Sequence, residues 1–355
     1  MHDIHASIGF QKPPLISFTE LKFYLPASRS LWLAKSASEW RDLYLSSQSS
    51  SSIPTFMDAM QEQEILHELS SKVDIHLTAI SLLHGFWGQI WSLLESKKFY
   101  PASKSTHRLA LHTSHTELYR DLNSFSMHLP SLTRNSPEAL LISELLQMIL
   151  HVHPEDLQRF AGKFGEEEER KASESFAEWS KTKEARIAIW HAGQIFSAAG
   201  RLMPAQNRGF NAIALYYSSL TLWVYGLMVS GTSPTVPATP QNMQLLSSSI
   251  STSHSGQAHV VLNEPETNKN GVFFTSNIGI AVISVASGDV EGGKKFVELT
   301  HTNKILEITR NIYRSNFPVL EEPLPPLVEN LGNLLRDLRS LPGSRVSRAP
   351  SENLD

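Results

Sequence analysis

Apolar residues return every three or four positions along almost the whole chain, and that spacing restricts the fold more than any other feature. An α-helix turns once per 3.6 residues, so the repeat lines apolar side chains along one face that must be buried. Ser28 is placed to cap a helix whose stripe is Leu33, Ala37, Trp40 and Tyr44. A short helix is expected near Phe56–Leu69, then a greasy one with Ile80, Leu83, Trp87, Ile90 and Leu94. Asp74, His76, His84, Gln89 and Glu95 in and around that segment are wrong for lipid, so it reads as a buried helix. Beyond Pro101 the stripe is Leu111, His115, Leu118, Leu122, Phe125 and Leu129. Ser136-Pro137-Glu138 is a helix start, with Leu141, Leu145, Met148 and Val152 behind it. Pro154 opens another, carrying Leu157, Phe160 and Phe164, with Gly165 placed to end it.

The two clearest helices lie mid-chain. One shows Ile189, Ala192, Phe196, Ala199 and Met203 and stops at Pro204; the next shows Phe210, Ile213, Tyr217, Leu220, Val224 and Leu227. The small residues Ala192 and Ala199 would let a neighbour approach closely. From Gly231 to Gln257 the composition turns to Ser, Thr, Pro and Gly, which cannot bury enough apolar surface to offset ordering entropy. HVVL reads as a short strand and GIAVISVA as either strand or buried helix. A helix from about Val290 to Tyr313 and a last one over Leu327–Leu338 complete the chain. The expected fold is therefore all-α, an irregular multi-helix bundle with one long disordered Ser/Thr/Pro-rich loop at 231–257. A flexible N-terminus over 1–15, a single helical domain over 16–341 and a flexible tail over 342–355 are the expected boundaries.

Composition excludes several functions. Cysteine is absent, which removes disulfides, a thiol nucleophile, iron–sulfur clusters and every thiolate-bound zinc module. A net charge of -4 and a pI near 6.4 argue against a broad basic footprint for nucleic acid. The opening MHDIHASIGFQKPP lacks a basic region followed by an apolar stretch, so it does not read as a signal peptide. No Asn lies in an N-x-[ST] sequon.

Chemistry-bearing patterns are few. GDVEGGKK at Gly288–Lys295 spells G-x-x-x-x-G-K, in which backbone N–H groups and Lys294 could hold phosphates. Lys295 stands where a magnesium-holding hydroxyl is needed, so the commoner outcome is a Gly-rich loop capping a helix. His112 and His115 are three apart on a helix, with His107 and His128 nearby, yet His115 lies on the apolar stripe where a hydrogen-bonded core histidine is usual. His151 and His153 flank a helix end, a position histidines favour. Glu166–Glu169 reads as a solvated first turn. The aromatic residues Trp190, Tyr216, Tyr217, Trp223 and Tyr225 could line a pocket, but their helical spacing fits core. Neither G-x-S-x-G nor H-E-x-x-H occurs. No catalytic, cofactor-binding, metal or DNA-binding residue is assigned, and the chain is not expected to be an enzyme.

Three long strings carry a resemblance. ISFTELKFYLPASRSLWLAKSASEWR (Ile16–Arg41) leads from S-[FY]-x-E-L through LP to a W-x-A-x-x-A-x-x-W-like helix. RLMPAQNRGFNAIALYYSSLTLWVYGLM (Arg201–Met228) and NFPVLEEPLPPLVENLGNLLRDL (Asn316–Leu338) follow. Together they resemble the regulatory half of fungal transcription factors, the fungal transcription-factor domain or middle homology region. The likeness points to members whose N-terminal part carries two-Cys two-His zinc fingers, sometimes beside a binuclear zinc cluster. Without cysteine this chain cannot form those modules, and no recognition module precedes Ile16, so it reads either as a truncated product or as a stand-alone regulator.

The resemblance implies a nuclear regulatory and interaction domain, with zinc expected only in the N-terminal modules of full-length relatives and no cofactor here. Its implied partners are proteins of the transcription machinery or a separate N-terminal DNA-binding part, with DNA reached only indirectly, no membrane, and a second copy in a homodimer. The alternative is a helical small-molecule-binding protein or enzyme using the apolar centre as its pocket.

Overall fold

The computed structural model describes residues 1–47, 53–69, 71–100, 105–231, 258–286, 293–317 and 323–340. The protein is all-α with a small sheet: fourteen α-helices and three strands among those residues. Two compact units divide it, Met1–Leu150 and His151–Asp355, where the sequence reading draws one domain over 16–341. The periodicity runs without a break through this boundary, so it carries no mark of where one core ends.

The first unit holds α1 (His2–Phe10), α2 (Arg29–Trp32), α3 (Ala37–Ser47), α4 (Phe56–Gln61), α5 (Ile75–Phe99), α6 (Ser105–Thr133) and α7 (Pro137–His151, whose last residue opens the second unit). The core forms on α5. Its Ile80, Leu83, Trp87 and Ile90 are buried, and Asp74 caps its start by accepting from the Leu77 N–H at 3.0 Å. Phe86 meets Phe125 of α6 with ring centres 5.8 Å apart, and the α6 residues Leu118, Leu122, Phe125 and Leu129 are buried as their spacing requires. Ser126 of α6 bonds both Ser143 and Gln147 of α7. The start of the chain, expected to be flexible, is instead the helix α1, because Ser7 and Ile8 find a buried seat.

A second correction concerns the stripe after Ser28. Ser28 does cap a helix, but α2 ends at Trp32 and a new helix begins at Ala37, so no single stripe joins Leu33 to Tyr44. Ser36 accepts from the Glu39 N–H while Glu39 accepts from the Lys35 N–H, which restarts the helix there. Leu33, Trp40 and Tyr44 are exposed as a result.

The second unit contains α8 (Pro154–Phe160), α9 (Glu166–Trp179), α10 (Lys183–Gly200), α11 (Phe210–Gly231), β1 (His259–Val261), α12 (Asn268–Ser276), β2 (Ile280–Ala286), β3 (Lys294–Glu298), α13 (Thr302–Ser315) and α14 (Pro326–Ser340). Helix α11 is long and apolar enough to cross a membrane, but 78% of its apolar window is buried inside the protein. Such a helix is apolar all round because it has neighbours all round. Ser218 on α11 donates to the Ala192 carbonyl of α10 at 2.6 Å, Thr309 of α13 donates to Ser219 at 2.8 Å, and the Tyr313 hydroxyl reaches the Ala212 carbonyl at 2.7 Å. Both mid-chain helices are thus central, as their sequences suggest, although Met203 lies past the end of α10 and is exposed.

The sheet has the order β1-β2-β3, with β1 and β2 parallel (Val260 opposite Ala281) and β2 and β3 antiparallel (Ile283 opposite Val297). GIAVISVA is therefore strand. The helix expected from Val290 starts only at Thr302, because Lys294–Glu298 pair with β2 instead. Gly165, read as a helix end, sits with φ +92° just before α9 and starts it. The expected loop beyond Gly231, at 232–257, and the expected tail at 342–355 lie outside the described residues.

Candidate functional site

The second unit holds a cavity of about 300 Å³ where the end of α7 turns through Val152 into α8 and meets α9. Pro154 at the first position of α8 fixes this corner, and the His153 ring caps the helix by accepting from the Glu155 N–H at 3.1 Å through Nδ1. The indole of Trp179 closes the apolar side with Phe176 and Ala172, and its Nε1–H donates to the His151 carbonyl at 3.0 Å.

Charged groups line the mouth. Arg159 lies 3.1 Å from Glu155, 3.7 Å from Asp156 and 3.9 Å from Glu168, while Lys171 reaches Glu168 at 3.1 Å and Glu167 at 3.5 Å. Each cation already has a carboxylate partner, so the field inside is nearly balanced and favours no one sign of ligand. The rim hydroxyl, Ser175, is exposed. The arrangement can hold a small molecule that matches both charges and lays an apolar part on Trp179.

The residues singled out from sequence are scattered. His115 is a hydrogen-bonded histidine of the first unit, donating from Nε2 to the Leu150 carbonyl at 2.9 Å, whereas His112 is exposed. His107 stacks on Tyr100 with ring centres 4.3 Å apart, and His128 sits edge-on to His67. No group of three or more His, Asp or Glu side chains converges on a metal-sized site among the described residues. His151 ends α7 and His153 caps α8, the helix-end roles their position suggests, and both also line the cavity. Glu166–Glu169 form the first turn of α9, where Glu167 and Glu168 pair with Arg170 and Lys171.

Of the aromatic set, Trp190 packs edge-on against Phe274, Trp223 against Phe160 and Tyr225 against Trp179. The Tyr217 hydroxyl accepts from Gln158 at 2.8 Å. Burial pushes the Tyr216 hydroxyl up to about 12, so it stays protonated near neutrality. Within Gly288–Lys295, residues 288–292 lie outside the described residues; Lys294 and Lys295 are in a strand, and Lys294 pairs with Glu264 at 2.6 Å.

Three polar features gave no sequence signal. Arg186 is buried and donates to the backbone carbonyls of Phe274 and Lys181. His5 and His84 share a hydrogen bond in the first unit. Asn316 ties together two distant stretches of the second: its Oδ1 accepts from the Asn207 N–H at 2.8 Å, its Nδ2 donates to the Leu202 and Met203 carbonyls, and its own carbonyl accepts from the Ala205 N–H at 2.7 Å. Ala205 holds a left-handed φ of +64° and Gly209 one of +55°, so this turn is bent tightly around Asn316.

Comparison of the chain with family models, curated proteins and solved structures finds no match in any of the three.

Proposed function

We propose that the chain is the regulatory and interaction domain of a fungal transcription regulator, working in the nucleus through protein partners and reaching DNA only indirectly. The observation that supports this reading best is the Asn316 clasp. Two of the three strings that resemble the fungal transcription-factor domain, Arg201–Met228 and Asn316–Leu338, lie about a hundred residues apart in sequence, yet they interlock through Asn207, Ala205 and Asn316. A resemblance made of strings that pack into one piece of structure is more specific than one made of isolated words.

The test is tethering. The chain is fused to a heterologous DNA-binding module with a reporter downstream in a fungal host, and the fusion is expected to change reporter output several-fold against the module alone. Unchanged output from a fusion that is nuclear and stably expressed would overturn the reading.

The clasp makes a prediction of its own. Replacing Asn316 with Ala leaves the Asn207 N–H and the Leu202 and Met203 carbonyls without these partners, at a cost of about 2 kcal/mol. Urea denaturation checks it, and a midpoint equal to that of the parent chain would show that the side chain carries no such load.

A further inference from the structure

We propose that α1 is an acid-released strap: His5 and His84 clasp it to α5 only while both imidazoles are neutral, and proton uptake by the pair frees His2–Phe10. The geometry fixes who donates. His84 Nδ1 lies 2.6 Å from the Ile80 carbonyl, which can only accept, so Nδ1 carries the proton and Nε2 presents its lone pair. His5 Nε2, 2.8 Å away, must therefore donate to it. A second proton on His84 would set two N–H groups head to head. One on His5 would create a cation in a half-buried site beside His2.

Ser7 and Ile8 also hold the helix. Trp87 Nε1–H donates to the Ser7 hydroxyl at 2.8 Å, Ser7 donates on to the Lys12 carbonyl at 2.6 Å, and Ile8 is buried. Asp3, the carboxylate of α1, accepts from the Leu15 and Ile16 amides and so closes the strap on itself. Among the groups acting on the histidine pair are the Met1 amino group and His2 on the α1 side and the neutral Ile80 carbonyl of α5. At nine residues α1 is too short to persist as a helix once undocked, so release would also unwind it and uncover the indole of Trp87.

The pH window follows from the direction of both shifts. Burial, and after it repulsion from the Met1 amino group and His2, lowers His5 from 6.5 to about 4. Burial lowers His84 to about 3; the hydrogen bond to Ile80 opposes it, and His5 and the Met1 amino group reinforce it. Undocked imidazoles take protons near 6.5 and docked ones only far below. Docking is therefore at full strength above 6.5 and is lost as pH falls from 6.5 toward 4. Two protons make the loss steep, roughly 100-fold in the docking constant between pH 7.5 and 5.5.

Amide hydrogen exchange of the full chain from pH 7.5 to 5.0, corrected for intrinsic exchange, is the experiment. Protection of residues 2–10 is expected to fall about 100-fold between pH 7.5 and 5.5 while α10 and α11 hold theirs. His5→Gln keeps an N–H for His84 and removes one titrating group, so its fall should shrink to about tenfold. Ser7→Ala should loosen α1 equally at every pH without changing the slope. Flat protection of α1, equal slopes for the parent and His5→Gln, or joint loss of α1 and α11 would each overturn the proposal. Should His5→Gln leave α1 unprotected even at pH 7.5, imidazole titration by NMR in the parent chain decides. Joint titration of His5 and His84 below 6.5 supports the strap, and independent titration at 6.5 overturns it.

Discussion

Replacing Leu220 with Ala is expected to destabilise the protein by about 2–5 kcal/mol, with the upper half of that range favoured by its surroundings. The side chain is fully buried near the middle of α11. What sets the cost is how far the neighbours can close over the hole. Ser218, two residues before it, is hydrogen-bonded to the α10 backbone, and Ser219, one residue before it, is bonded to Thr309 of α13. Those polar locks hold the helix spacing, so the cavity cannot collapse by sliding either helix inward. A typical domain has only about 5–15 kcal/mol in total, so the loss would remove a large share. Urea denaturation followed by circular dichroism measures it, with Trp40→Ala as control. Trp40 keeps 45% of its surface exposed and its removal should cost no more than about 0.5 kcal/mol. A midpoint shift for Leu220→Ala no larger than the control's would show that α11 is not the core.

That comparison also shows where the sequence was legible. Trp40 and Leu220 both sit on three–four apolar stripes, and only one stripe is core. Around α10 and α11 the apolar residues recur on every face and a proline separates the two segments, so a buried pair was readable. Around Leu33–Tyr44 the stripe crosses Ser36-x-x-Glu39, a helix-start signature that outweighs the periodicity and splits the segment in two. At β3 the Gly-rich stretch before Lys294 resembles a loop capping a helix, while the partners that make Lys294–Glu298 a strand lie eight to sixteen residues earlier, in β2.

Helix α1 leaves little mark in the sequence because its docking contacts are polar. His5 and Ser7 carry it, leaving Ile4 and Ile8 as a weak pattern. The cavity at α8 and α9 is built from residues that are ordinary at helix ends, and Asn316 is one Asn among many until the fold brings it to the 202–207 turn. Polar clasps between distant residues have no period, and a chain read alone has no other way to announce them.

Gly226→Ala should destabilise the protein by about 3 kcal/mol, although the same change in an exposed helix would stabilise it by about 1 kcal/mol. A Cβ at 226 would stand 2.1 Å from the Leu299 carbonyl oxygen and 2.9 Å from both the carbonyl carbon and Thr302 Cγ2. That obstacle is backbone and it is pinned: the Leu299 N–H donates to the Ala281 carbonyl of β2 at 3.2 Å, the His301 N–H donates to the Glu298 carbonyl, and the Leu299 side chain is buried. Relief requires the whole corner between β3 and α13 to lift from α11. Gly193 on α10 meets the other end of the sheet in the same way, its Cβ position lying 2.4 Å from the Leu262 carbonyl oxygen, so Gly193→Ala should behave alike. Gly200, on the same helix, has nothing within 4 Å of its Cβ position, and Gly200→Ala should cost nothing. The three variants separate helix propensity, which they share, from the close seating of the strands, which only two possess. Urea midpoints for the series, with hydrogen exchange of β2 as a local readout, measure the difference. Stabilities of Gly193→Ala and Gly226→Ala equal to that of Gly200→Ala would mean that the sheet does not rest on the core helices through these glycines.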